Sequence, residues 1–173
     1  MTRLWKFLNR NMAGLSKVLG YLTGILIVLS AVLVTYEVIW RYYLVRPHTW
    51  SLEVNIFLLI GATFLASPFT QLRRGHVGTE ILDLVLPRHW VPWRVVFGDV
   101  LSCAVCAFIG YTVTSYAMKA WSEGWVTDSL WAPPLWIPFA LIAAGMWLTA
   151  IQSLAQVIDQ VGVLCRRQEE GAP

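Results

Sequence analysis

The residues of this sequence that could carry proton or ion chemistry are two carboxylates inside long apolar segments. Glu37 is the only charged residue between about residues 18 and 40, and Asp99 lies near the start of a segment at about 95–118. A charge placed mid-bilayer costs about 2.5–3.5 kcal/mol on insertion scales, so such residues are functional candidates. Glu37 lies one helical turn before Arg41, so an i, i+4 ion pair is available. Near a membrane interface we expect this pair to be a structural tie rather than a proton relay.

Asp99 and Glu53 are also interpreted as structural residues. Asp99 lies close to Arg94 in sequence, and we expect it to be an ion-paired residue at a helix end. Glu53 opens the next apolar segment, just after Trp50, where it can cap a helix or contact a neighbouring one. Trp147 falls inside the last apolar segment, where packing against another helix and exposure to lipid are both open.

Cysteine and histidine patterns argue against a metal or redox centre. Cys103 and Cys106 form a C-x-x-C inside an apolar segment without further ligands, so we interpret them as small side chains one turn apart. The three histidines lie in loops, whereas a haem held between spans needs histidines within them. No H-E-x-x-H, Walker loop, G-x-S-x-G or dinucleotide fingerprint is present. We therefore expect no cofactor, no metal and no enzymatic activity.

The elements that must hold these residues are transmembrane helices. Hydrophobic residues make up 57% of the 173 residues and charged residues only 13%, roughly half the charged share of a soluble domain. A transmembrane helix needs about 20 mainly apolar residues. Four segments meet this requirement, at about 18–40, 54–72, 95–118 and 133–158. The sequence therefore predicts a single all-α membrane domain with four transmembrane helices.

The basic residues predict the orientation of these helices, because cytoplasmic loops carry an excess of lysine and arginine. Of the 13 basic residues, all but Arg41, Arg46 and Lys119 lie in the N-terminal segment, in the loop between spans two and three, or in the C-terminal tail. Both termini are therefore predicted to be cytoplasmic. The basic residues behind the net charge of +3 lie at the ends of the spans, as this topology requires. The sequence has no basic stripe with interleaved aromatic residues, the pattern that would indicate nucleic-acid binding.

Two amphipathic segments are predicted to lie along the membrane surface. In the N-terminal segment, apolar residues recur at helical spacing with basic residues elsewhere on the turn, which is typical of an interfacial helix. In the inner loop, residues 79–86 place apolar side chains on one side and Glu80 and Asp83 on another. Thr79 can cap this second helix, and Pro87 ends it.

Four short motifs carry a resemblance to a known family. The sequence contains W-R-Y at 40–42, P-H-T-W-S-L-E at 47–53, I-G-A-T-F-L-A at 60–66 and R-R-G-H-V at 73–77. This ordered set resembles the small membrane subunit (the DctQ-like small permease) of TRAP transporters, the tripartite ATP-independent periplasmic carriers. Leu52 and Glu80 depart from the family pattern, which often has an acidic residue and an aspartate at these places. The positions that match the family motifs are Arg41, Tyr42, Trp50, Glu53, Gly61, Ala62, Arg74, His76 and Val77.

The resemblance implies a transport subunit rather than a complete transporter. In this family a larger multi-span permease subunit holds the substrate and sodium sites, and a periplasmic binding protein delivers the substrate, typically an organic acid. The small subunit packs against the large one in the bacterial inner membrane, stiffens it and adds to the docking surface for the binding protein. The candidates for the subunit interface or for its support are Glu37, Arg41, Tyr42, Trp50, Glu53, Gly61, Arg74 and His76.

One alternative of a different class is a stand-alone four-span multidrug exporter, which uses a single mid-membrane glutamate in its first span. Glu37 is the only candidate, and its position near the end of the span, followed by Arg41, argues against this function. A redox membrane anchor is a weaker alternative, because the predicted spans lack histidine.

Overall fold

A computed structural model describes residues 3–44, 49–73 and 91–170 of the chain. They form four helices, α1 (Arg3–Leu44), α2 (Thr49–Leu72), α3 (Val91–Ser122) and α4 (Trp136–Glu170). Each helix contains a stretch long and apolar enough to cross a membrane, and the four stretches are Gly14–Tyr43, Trp50–Leu72, Trp93–Ser122 and Trp136–Gly162. The prediction of an all-α protein with four transmembrane helices is confirmed.

The predicted N-terminal interfacial helix is joined to the first span in one unbroken helix. α1 has 42 residues, which at 1.5 Å per residue corresponds to a length of about 63 Å. The hydrocarbon core is only about 30 Å thick, so part of α1 extends beyond it. The second predicted interfacial helix, at 79–86, lies outside the described residues.

The helices form a row rather than a ring of four equal contacts. α2 packs along both α1 and α4, and α3 packs along α4, which gives the order α1–α2–α4–α3. The span of α4 is the most buried of the four and that of α3 the least. The terminal members of the row consequently keep wide apolar faces exposed, with Ile25 and Val32 on α1 and Phe97 and Phe108 on α3.

One stripe of α1 buries polar side chains with a seven-residue period, and its members Ser30 and Glu37 form hydrogen bonds with α2. The buried polar side chains on α1 are Ser16, Thr23, Ser30 and Glu37. A repeat of seven keeps one stripe of a helix against its partner, as in left-handed coiled coils. Small hydroxyl residues also let helix backbones approach closely in a membrane. This repeat was not predicted, although its constant spacing is visible in the sequence.

A close contact between α2 and α4 joins Gly145 to a carbonyl that Pro68 leaves without its helical donor. Pro68 is buried inside α2 and has no N–H, so the carbonyl of Phe64 four residues earlier lacks its helical donor. A Cβ built on Gly145 of α4 would stand 2.2 Å from this carbonyl oxygen. One Hα of Gly145 is therefore aimed at the oxygen, in the manner of a Cα–H···O contact between packed helices.

The contact between α3 and α4 resolves the role of Trp147. Its indole N–H donates to the Thr114 hydroxyl at 3.1 Å. Its ring lies against Gly110, where an added Cβ would stand 3.4 Å from ring atoms. Nearer the end of the helices, the rings of Trp121 and Trp136 meet edge to face with centroids 4.8 Å apart. Trp147 thus packs on α3 with one part of its ring and exposes another part, so both possibilities that the sequence leaves open apply to it.

An ordered loop joins α3 to α4. Gly124 adopts a left-handed conformation with φ of +66°, and the N–H of Trp125 donates to the carbonyl of Ala120 at 2.9 Å. This is the Schellman pattern that ends a helix at a glycine. The predicted fourth segment began at residue 133, but α4 begins at Trp136. The two prolines before it therefore belong to the loop.

Two backbone hydrogen bonds hold the arms of this loop together. The N–H of Leu135 donates to the carbonyl of Trp125 at 2.9 Å, and that of Thr127 donates to the carbonyl of Pro133 at 3.1 Å. The tip between these arms presents apolar side chains, with Leu130 93% exposed and Trp131 about half exposed. A backbone fixed on both arms thus displays Leu130 and Trp131, together with the exposed Asp128.

Candidate subunit interface and intramembrane polar clusters

The two ends of the helix row are named after the predicted orientation. The outer end holds the C-terminus of α1, the N-terminus of α2 and the loop 123–135, and the inner end holds Leu72 and Val91. Polar side chains collect at both ends. Those at the outer end include most of the residues that the sequence proposes for an interface.

Glu37 joins α1 to α2 at the outer end. Its carboxylate accepts a hydrogen bond from the Ser51 hydroxyl at 2.5 Å and pairs with Arg41 at 3.4 Å. Glu37 is buried, whereas the Arg41 side chain is more than half exposed. The ion pair expected from the i, i+4 spacing is present, and Ser51 adds a contact between helices that sequence spacing does not reveal.

Glu53 contacts the loop between α3 and α4. One carboxylate oxygen accepts a hydrogen bond from the Thr127 hydroxyl at 3.1 Å. Thr127 in turn lies 3.2 Å from the Ser129 hydroxyl, which accepts the N–H of Ala132 at 3.1 Å. This chain of bonds fixes the loop to the start of α2. The second oxygen of Glu53 is buried and has no hydrogen bond within the described part of the chain.

The remaining candidates divide into exposed, internal and undescribed positions. Tyr42 is 81% exposed, and Trp50 is partly exposed. Gly61 is internal, because a Cβ there would lie 3.4 Å from Leu141 of α4 and 3.9 Å from Leu26 of α1. Arg74 and His76 lie outside the described residues.

A network of glutamines surrounds Asp99 at the inner end. The side-chain amide of Gln71 on α2 donates to Asp99 at 3.2 Å and to Gln156 of α4 at 3.1 Å. Gln156 donates back to the backbone carbonyl of Gln71 at 3.0 Å, and Gln160 also donates to Asp99. Gln71 is only 4% exposed. Asp99 therefore ties three helices together.

The hydrogen bonds that reach Asp99 from Gln71 and Gln160 were not predicted from the sequence. The ion pair between Asp99 and Arg94 stays a prediction. The sequence does contain a signal for this network. Three glutamines of α4 are spaced four residues apart, at 152, 156 and 160, which puts their amides on one face of the helix. The third of them, Gln152, accepts a hydrogen bond from Ser16 of α1 at 3.4 Å.

A groove lined mainly by small side chains lies between α2 and α3, with α4 as its floor. Its volume is about 280 Å³. Most of its lining residues carry a hydroxyl group. The residues that line it are Thr63, Ser67, Thr70 and Gln71 of α2, Ser102 and Cys106 of α3, and Thr149 of α4.

The described residues contain no group of three or more His, Cys, Asp or Glu side chains placed to hold a metal ion. Cys103 and Cys106 are free thiols. The buried polar side chains instead connect one helix with another, as Glu37 and Asp99 do. The fold and the polar contacts together define a multi-pass membrane protein in which polar side chains within the spans hold the helices together.

Comparison with protein families identifies this membrane protein further. The model of the family described as tripartite ATP-independent periplasmic transporters, DctQ component, matches residues 30–162. The match covers well over half of the chain, and the chain belongs to this family. It is thus a small transmembrane component of a TRAP transporter, as the resemblance in the sequence predicted. Comparisons with curated proteins and with solved structures give no match.

Proposed function

We propose that this chain is the scaffolding subunit of a sodium-driven TRAP transporter, which holds the large permease subunit while that subunit moves its substrate. The substrate is an organic acid anion delivered by a periplasmic binding protein. The observation that carries the proposal is the family match over residues 30–162. A moving domain needs a fixed element to move against, and a rigid helix row supplies one.

The internal use of the charged span residues supports a scaffolding role. Glu37 and Asp99 both accept hydrogen bonds from neighbouring helices, so their carboxylates hold helices in place. On this proposal the substrate and sodium sites belong to the large subunit, and the small subunit catalyses no reaction. The exporter alternative depends on Glu37 as a proton carrier, and its bonds to Ser51 and Arg41 favour a structural role.

The proposed location is the bacterial inner membrane with both termini in the cytoplasm. The distribution of lysine and arginine supports this orientation. It places the loop 123–135 on the periplasmic side, where the binding protein arrives. The loop arms are held by backbone hydrogen bonds, and the apolar side chains of Leu130 and Trp131 are exposed at its tip. We therefore assign the loop to the docking surface for the binding protein.

A reconstitution experiment tests the proposed function. We expect the purified chain alone to transport no organic acid into liposomes under a sodium gradient, because the substrate site is on its partner. Together with the large subunit and the binding protein, it should support sodium-dependent uptake of a radiolabelled organic acid. Liposomes with the large subunit and binding protein alone are the control. Sodium-driven uptake by this chain without a partner would contradict the proposal.

The exposed candidates at the outer end are proposed to contact the large subunit directly. Tyr42 and Arg41 expose most of their side chains, whereas Glu37, Glu53 and Gly61 act by shaping the helix row behind them. Arg74 and His76 are proposed to support assembly from the inner loop. Aromatic and arginine side chains are the residue types that contribute most to protein interfaces.

We predict that Tyr42→Ala weakens assembly without destabilising the isolated chain. Interface aromatic residues of this kind typically contribute about 1–2 kcal/mol or more, so the amount of large subunit that co-purifies should fall about tenfold. The matched control is Tyr111→Ala, which removes a similarly exposed tyrosine from α3. Equal co-purification by the two variants would remove Tyr42 from the proposed interface.

A further inference from the structure

The tip of the loop 123–135 is a tight turn that displays two apolar side chains. The backbone carbonyl of Ser129 accepts the N–H of Ala132 at 3.2 Å, which is the hydrogen bond of a β-turn. Leu130 and Trp131 occupy the two central positions of this turn, and both are exposed. The conformation of residues 129–132 therefore decides where the two exposed side chains point.

Ala132 closes this turn in a backbone conformation that its own side chain disfavours. Its φ is +46°, in the left-handed region, where a Cβ crowds the following carbonyl oxygen. Glycine adopts this region readily, whereas alanine does so only where its surroundings hold it there. The contacts between Ser129 and Ala132 consequently have to offset a local backbone strain.

A directed chain of hydrogen bonds connects this turn to Glu53 of α2. Each hydroxyl has one proton to donate. Thr127 donates its proton to the Glu53 carboxylate at 3.1 Å, so it accepts from the Ser129 hydroxyl, which lies 3.2 Å away. The Ser129 oxygen in turn accepts the N–H of Ala132 at 3.1 Å. Because a carboxylate only accepts, Glu53 sets the direction of every bond in the chain, and bonds in such a chain strengthen one another.

Glu53 stands behind the turn rather than at its exposed tip. It lies near the start of α2, and one of its carboxylate oxygens is buried. The exposed apolar side chains at the tip are those of Leu130 and Trp131. We expect Glu53 to affect a protein that docks on this tip through Thr127 and Ser129.

We propose that Glu53 is a positioning residue for docking of the periplasmic binding protein. Through Thr127 and Ser129 it holds the turn in the shape that presents Leu130 and Trp131, and an apolar patch on the binding protein covers these two side chains. The inference rests on the proposed function, which assigns this loop to the docking surface. It adds the residue of a membrane span that keeps the docking surface in shape.

The affinity of the binding protein for the assembled complex tests this role. The complex of this chain with the large subunit is placed in nanodiscs, and the Kd of the fluorescently labelled binding protein is measured. Thr127→Val removes the hydroxyl at nearly constant size, and we expect it to raise Kd about tenfold. Thr112→Val is the matched control and should leave Kd unchanged, because the exposed Thr112 hydroxyl bonds to its own helix.

Variants of Glu53 show whether this residue acts through Thr127. Glu53→Leu should raise Kd about tenfold, and Glu53→Gln should raise it less, because an amide oxygen can still accept from Thr127. Combined with Thr127→Val, Glu53→Leu should cause no further loss, since both changes break the same chain. Kd is measured on the assembled complex, so an effect of Glu53 on assembly does not enter it. Additive losses would contradict the inference.

Ala132→Gly distinguishes a conformation held by hydrogen bonds from a loop that only has to be stiff. Added to Thr127→Val, it should return Kd to within about threefold of the original value, because glycine adopts the left-handed conformation without the chain of bonds. A loop that needs stiffness alone would lose further affinity, since glycine loosens the backbone. Such a further loss would overturn the inference.

Two more results separate this inference from the proposed function. Failure of the unmodified complex to bind the binding protein would overturn the proposed function. An unchanged Kd for Leu130→Ala and Trp131→Ala would remove the loop from the docking surface, and the inference with it. Weak binding by Leu130→Ala, together with normal binding by Thr127→Val and Glu53→Leu, would overturn the inference alone.

Discussion

The variant Gly145→Ala is expected to push α2 and α4 apart. Although it adds only one methyl group, it should lower the stability of the protein strongly. The new Cβ would stand 2.2 Å from the carbonyl oxygen of Phe64 and 2.6 Å from its carbonyl carbon. Both are backbone atoms, so no side-chain rotation relieves the overlap and one helix must shift. Overpacking of this kind costs about 1–3 kcal/mol, occasionally more. The measurement is the free energy of unfolding in mixed micelles.

Gly24→Ala is the matched control for this substitution. Gly24 lies in the span of α1, and a Cβ there meets nothing within 4 Å. Since alanine is the better helix former, this variant should be as stable as the original chain or more stable by about 0.5–1 kcal/mol. Equal stability of the Gly145→Ala and Gly24→Ala variants would contradict the close contact between α2 and α4.

The same region explains why a proline is tolerated in a central helix. Pro68 removes the donor that the Phe64 carbonyl would otherwise have, and the Hα of Gly145 faces that oxygen from α4. In hydrocarbon an unsatisfied carbonyl is costly, and a neighbouring helix can relieve the cost. The proline and the glycine, 77 positions apart in the sequence, thus belong to one contact.

The variant Gln71→Leu is expected to loosen the inner end of the protein. The side-chain amide of Gln71 donates hydrogen bonds to Asp99 and to Gln156, and a leucine side chain can donate neither bond. Hydrogen bonds between membrane helices average about 0.6 kcal/mol and reach about 1.7, and bonds to a charged acceptor are at the stronger end. We expect a loss of about 1–3 kcal/mol in the free energy of unfolding.

A double-mutant cycle distinguishes the network from an unspecific packing defect. If Gln71 acts through Asp99, the pair Gln71→Leu with Asp99→Leu should cost less than the two single changes added together, with a coupling of about 0.5–3 kcal/mol. Thr112→Val serves as the control, because its exposed hydroxyl bonds only to its own helix. Strict additivity would show that Gln71 and Asp99 do not act together.

The polar contacts of this small subunit are arranged for rigidity at both ends. Glu37 and Ser51 hold α1 to α2 at the outer end, and the Asp99 network holds α2, α3 and α4 at the inner end. Between them, the seven-residue repeat of α1 and the Gly145 contact fix the middle. On the proposed function, this rigidity is what a moving permease subunit requires from a stationary neighbour.

The sequence by itself determined the number of spans, because each span is a local property of about 20 consecutive apolar residues. It determined the family through ordered motifs between residues 40 and 77, and the match over 30–162 confirmed it. It also anticipated the Glu37–Arg41 pair, since a spacing of four places two side chains on one face of a helix. All these features are set within one helix or one stretch of chain.

Only the tertiary structure decided which faces of the helices meet. In water, an apolar stripe identifies the buried face of a helix, but lipid is as apolar as leucine and gives no such signal in a membrane. The order α1–α2–α4–α3, the place of Gly145 against Phe64 and the convergence of Gln71, Asp99 and Gln160 could therefore not be derived from hydropathy. They depend on the rotation of each helix about its axis, which shape and hydrogen bonding between distant residues determine.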